Sequence, residues 1–133
     1  MLRKDTASTY CLVSGTALIV IGAAGFFLPD LSGAVEFDRA HNLFHLIAGA
    51  LAVYAALSEK EGLATWFAQG SGAVYVLVAI AGYVSPTLWG IGDATGLRLE
   101  FAEDIFHLIV GGWGLYAGFA QSLLPGVCGR CRG

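Results

Sequence analysis

Three histidines carry most of the chemistry that this 133-residue chain offers. His45 and His107 occur in nearly the same words, FHLIAG at 44–49 and FHLIVG at 106–111, and His41 lies four residues before His45. Both hexapeptides fall inside apolar runs, where an ionisable residue is costly and functional by default. A neutral imidazole nitrogen is a ligand for haem iron or for the magnesium of a chlorophyll. Gly49 and Gly111 stand four positions after His45 and His107, which puts them on the same helix face. A glycine one turn from a histidine leaves a flat patch for a porphyrin or chlorin ring. His45, His107, Gly49 and Gly111 therefore form a candidate site for haem or (bacterio)chlorophyll. The competing reading is polar packing. An imidazole bonded across a helix interface in lipid contributes about 0.6 kcal/mol on average, and the glycine then only lets helices approach.

His41 and His45 make an H-x-x-x-H pair suited to a metal. In the second copy of the motif the position of His41 is taken by Glu103, and that of Asn42 by Asp104. Asp104-x-x-His107 is similar to the carboxylate-x-x-His element of di-iron bundles, which also need carboxylates from the other two helices. The first and third apolar runs supply none, so a di-metal centre is not expected. Asn42 and Asp104 are expected to cap the N-termini of their helices, where an acceptor suits the dipole. Cys128 and Cys131 form a lone C-x-x-C with Cys11 as the only other thiol. A structural zinc site takes four ligands, so Cys128 and Cys131 are weak metal candidates and a reduced tail is expected. The glycine-rich GIGDATG at 90–96 lacks the lysine of a phosphate loop. No serine or cysteine nucleophile accompanies a histidine in one motif, and no carboxylate pair lies within an apolar run. An enzyme is not expected.

Positioning these residues falls to a chain that is 56% apolar and 13% charged, with 19 glycines. Soluble domains are about 25% charged. Four apolar stretches read off as Tyr10–Leu28, Ala40–Leu57, Leu63–Val84 and Ile105–Leu124. Each meets the roughly 20 residues, within a range of about 17–25, that cross a bilayer, and none has the polar face of a soluble-bundle helix. The fold class expected is an all-α membrane protein of four transmembrane helices, one domain over 1–133 with a cytoplasmic tail at 125–133. Arg3 and Lys4 before the first run fit a signal peptide superficially. That run is long for one and has a counterpart later in the chain, so a retained span is expected. Of the seven Lys and Arg, five flank one side (Arg3, Lys4, Lys60, Arg130, Arg132) and two the other (Arg39, Arg98). The excess predicts both termini in the cytoplasm. It also leaves seven of the ten acids, Glu103 and Asp104 among them, on the outer face as a solvated rim. The net charge of −3, without a basic stripe, gives no reason to expect nucleic acid. Trp66 and Trp89, at span ends, suit the membrane interface.

An internal repeat organises the whole. At an offset of 57, residues 15–33 lie over 72–90, pairing Gly15 with Gly72, Gly25 with Gly82 and Pro29 with Pro86. At an offset of 62, residues 44–55 lie over 106–117, pairing His45 with His107 and Gly49 with Gly111. The expected architecture is a tandem duplication of a two-helix hairpin, about 10–60 and about 63–124. Two spans return the chain to its starting side, so the repeats relate by an axis along the membrane normal.

The stretch HNLFHLIAG, with Asn42, His45, Leu46 and Gly49, resembles the signature of a bacterial family of small four-span membrane proteins of uncharacterised function. That family is marked by an Asn-x-x-His-Leu element early in its second span. The second repeat departs from it, with Asp104 in place of the asparagine. The resemblance implies an integral membrane protein of bacterial origin and supplies no activity, and the bacterial inner (cytoplasmic) membrane is the location expected. The function expected from the residues is a non-catalytic accessory or structural subunit, in the lipid bilayer with other membrane subunits or copies of itself. The alternatives are a haem or (bacterio)chlorophyll carrier and a small transporter or channel. The last is weakened by the absence of charge within the apolar runs.

Overall fold

The computed structural model describes residues 5–28, 39–85 and 101–123. Four helices account for nearly all of them: α1 (Thr6–Phe27), α2 (Arg39–Leu57), α3 (Leu63–Val84) and α4 (Phe101–Leu123). Asp5 caps α1, its carboxylate accepting from the Ser8 N–H at 2.6 Å. A short turn joins α2 to α3 through Gly62, whose φ of +78° is the left-handed backbone that glycine adopts without strain. The tail with Cys128 and Cys131, and the stretch with Trp89 and GIGDATG, lie outside the described residues.

The helices follow the apolar runs, with α3 matching its run end to end. The largest differences are at the starts of α1 and α4, each of which begins four residues before the run that marks it. At α4 the reason bears on function. Glu103 and Asp104 end the apolar run in sequence, yet they belong to the first turn of the helix and are buried. The solvated acidic rim does not include them, and the bundle does carry inward-facing carboxyl groups.

α1, α2 and α3 are each long and apolar enough to cross a membrane. Large apolar side chains such as Phe27, Trp66, Leu77, Tyr83 and Ile109 point outward, while the interior is made largely of alanine and glycine. Small interior residues let backbones approach closely where lipid supplies no hydrophobic drive between helices.

α1 lies along α2 and α3 along α4, and these two contacts dominate the bundle. They match each other position by position. A Cβ on Gly15 would meet the Gly49 oxygen and the Ala52 Cβ, each at 2.8 Å. A Cβ on Gly72 would meet the Gly111 oxygen at 2.9 Å and Gly114 and Leu115 backbone at 2.9 and 2.6 Å. The offsets of 57 and 62 convert the first set of partners into the second. Gly25 packs against the Asn42 side chain, and Gly82 against that of Asp104, at the same two offsets.

Gly70 and Gly112 lie outside this scheme, since a Cβ on either meets no atom within 4 Å. Alanine is the better helix former by about 0.8–1.0 kcal/mol. Gly70→Ala and Gly112→Ala are therefore expected to be neutral or stabilising by up to about 1 kcal/mol in reversible unfolding from mixed micelles. A clear loss at either position would show that a further packing partner covers it.

Between the hairpins, one group of contacts lies toward the end where α2 turns into α3. The Cys11 thiol donates to the Ala64 carbonyl at 3.5 Å, and the Tyr10 and Ser71 hydroxyls are 3.3 Å apart. The rings of Tyr10 and Trp113 meet edge to face at 5.1 Å. Cys11 is thus a buried thiol far along α1 from the histidines, and it shares no site with them.

Candidate functional site

His41 and His45 are one turn apart on α2, so both imidazoles leave the same face. Their rings lie 4.3 Å apart, and the His107 ring, from the second turn of α4, comes to 5.9 Å from that of His41. One nitrogen of each histidine falls within 4.8 Å of the other two. All three residues are buried, His107 to 4% exposure. Tyr75 of α3 stacks on His107 at 5.4 Å and fixes the plane of that ring. Glu103, one turn before His107, reaches to 3.6 Å from His41 Nδ1. Beside the cluster a half-open cleft of about 310 Å³ is walled by Ile21, Ala102 and Phe106.

Hydrogen bonding in the cluster is incomplete. Among the described residues, His45 Nδ1, His45 Nε2 and His107 Nδ1 are buried without a partner. A buried polar group left unpaired costs about 1–3 kcal/mol, and native structures rarely leave several in one place. Polar glue between helices would satisfy at least one nitrogen of each ring. Here His45 has neither.

The donor set suits a small ion. Three imidazoles fit zinc, copper, nickel or iron far better than calcium or magnesium, which prefer oxygen, and the Glu103 carboxylate lies beside one of them. Zinc–nitrogen bonds of about 2.0–2.1 Å put tetrahedral ligand atoms about 3.4 Å apart. The His41–Glu103 separation of 3.6 Å already approaches that edge. The imidazole nitrogens, up to 4.8 Å apart, are spaced more widely than that edge, so a bound ion would draw them together.

The glycine faces expected to receive a ring are taken by neighbouring helices. A Cβ on Gly49 would strike the Gly15 oxygen at 2.7 Å, and one on Gly111 would strike Val76 N at 2.8 Å. A porphyrin on that side of His45 or His107 would have to displace α1 or α3. Asn42 and Asp104 sit four residues into α2 and α4, with Asn42 only 1% exposed. Neither atom of the Asn42 amide, nor Asp104 Oδ1, has a hydrogen-bond partner among the described residues.

The sequence singled out His45, His107 and His41, and the fold brings all three together. Glu103 is not among the candidates read from the sequence, although two signals mark it: it occupies the repeat position of His41 and stands one turn before His107. Tyr75 left no such signal, because its repeat counterpart is Leu18. Compared with known proteins, the chain matches no family model, no curated protein and no solved structure.

Proposed function

We propose that this is a non-catalytic integral membrane protein that holds one divalent first-row transition-metal ion on His41, His45 and His107. It has four spans, built as two copies of a helical hairpin, and the repeat-matched glycine contacts support that origin. The observation that carries the metal reading is the convergence of three buried imidazoles, two of which have unpartnered nitrogens. The ligands lie in the first two turns of α2 and α4. At 1.5 Å of rise per residue, His107 is only about 9 Å from the start of its helix. With both termini cytoplasmic, that end faces the outer side of the bacterial inner membrane, so the ion would be exchanged with the outer aqueous phase. The outward-facing apolar side chains suit lipid and neighbouring membrane chains alike, as an accessory subunit of a larger complex requires.

Cobalt(II) is the probe that tests this reading. Added to the metal-free protein in lipid nanodiscs, it should bind at one equivalent and give the intense visible bands of a four-coordinate, nitrogen-ligated ion. Zinc should bleach those bands by displacement. Protein purified without chelator from native membranes should carry a metal near one per chain. No visible bands and no stoichiometric metal would sink the proposal, and a Soret band in the native material would replace the ion with haem.

A further inference from the structure

Resting on the metal reading, we infer that Glu103 supplies the fourth ligand, so that each hairpin gives two ligands and the bound ion is the clasp that holds the two hairpins together at this end. His41 and His45 come from the first hairpin, Glu103 and His107 from the second. The division is unusual because of where it falls. α2 and α4 carry every ligand, yet they touch each other least of all the helix pairs. Within each hairpin, glycines bring backbones into contact along most of the length. Between hairpins, the bonds formed by Tyr10, Cys11, Ser71 and Ala64 all lie at the opposite end. Among the described residues, the contacts that cross from α2 to α4 near the histidines include the 3.6 Å approach of His41 to Glu103 and the ring contact of His41 with His107.

An ion on these four side chains adds metal–ligand bonds between the two described helices that touch each other least. It also gives a partner to one of the two unpartnered His45 nitrogens, whose burial otherwise carries an uncompensated desolvation cost. Occupancy then sets how closely the α2 and α4 ends lie. The interface at the other end, with its Tyr10–Trp113 contact, keeps the halves joined when the ion leaves.

The test uses the full chain in nanodiscs, with Cys128→Ser and Cys131→Ser and spin labels at Leu43→Cys on α2 and Ile109→Cys on α4. Both labelled positions are exposed and outside the ligand set, and the native Cys11 is buried. Zinc is diamagnetic and leaves the labels undisturbed. One equivalent should narrow the inter-label distance distribution and shift it shorter, and His107→Leu should abolish the change. Glu103→Gln should weaken zinc binding about 10-fold to 100-fold or more, since even an outer partner of a metal ligand contributes that much. Stoichiometric zinc binding with an unchanged distribution would overturn the clasp and leave the metal reading standing. Wild-type affinity in Glu103→Gln would remove Glu103 from the ligand set. Failure of zinc to bind at all would end both.

Discussion

Replacing His45 and His107 together by leucine is expected to abolish metal binding while leaving the metal-free bundle as stable as before, or more so. The two halves of that expectation have separate causes. Zinc loses two of its imidazole ligands, and because the loss of one outer-shell partner already costs 10-fold to 100-fold, affinity should fall by well over about 100-fold. Stability should not fall, because among the described residues His45 has no hydrogen bond to lose and His107 Nδ1 has none either. Leucine removes buried unpaired nitrogens, whose burial costs about 1–3 kcal/mol each, and packs readily beside Ile21 and Phe106. The measurements are zinc affinity by calorimetry and unfolding in mixed micelles, both on the metal-free variant. A variant that unfolds more easily would mean that the imidazoles bind helices to one another, and the polar-packing reading would return.

The second large effect is expected at the helix crossings. Gly15→Leu should destabilise the first hairpin, and Gly72→Leu the second, each by about 3 kcal/mol, the upper end of the usual cost of overpacking. The obstacles include backbone atoms at both sites, Gly49 O beside the Ala52 Cβ at Gly15, and Leu115 N and Gly111 O at Gly72. A flexible side chain can swing away from an added Cβ, but a backbone oxygen yields only if the helices separate. Unfolding forces measured hairpin by hairpin would resolve the two costs. Similar losses at both positions are the outcome that two equivalent hairpins require. A large loss at one and none at the other would show that the halves pack by different rules.

The four helices are legible because each is a predominantly apolar, uncharged run bounded by turn residues or charge. The start of α4 is not, because Glu103 and Asp104 look like solvent-facing residues until a neighbouring helix is placed over them. Spacing along one helix said that Gly49 shares a face with His45, and Gly111 with His107. It did not say what occupies that face. The answer depends on α1 and α3, whose approach is fixed by Gly15 and Gly72 far away in sequence. The same gap hid the role of Glu103. Its lack of a histidine counterpart counted against His41 in the sequence, whereas the fold places the two side by side.

That pairing has one more consequence. A lone hairpin associating with a second copy of itself must present identical side chains wherever it meets its own symmetry axis. At the position of His41 and Glu103 it would set histidine against histidine, or two mutually repelling carboxylates. A single polypeptide containing both hairpins escapes this rule. It can place a base on one side and an acid on the other, and so acquire an asymmetric centre between two hairpins that share a packing pattern.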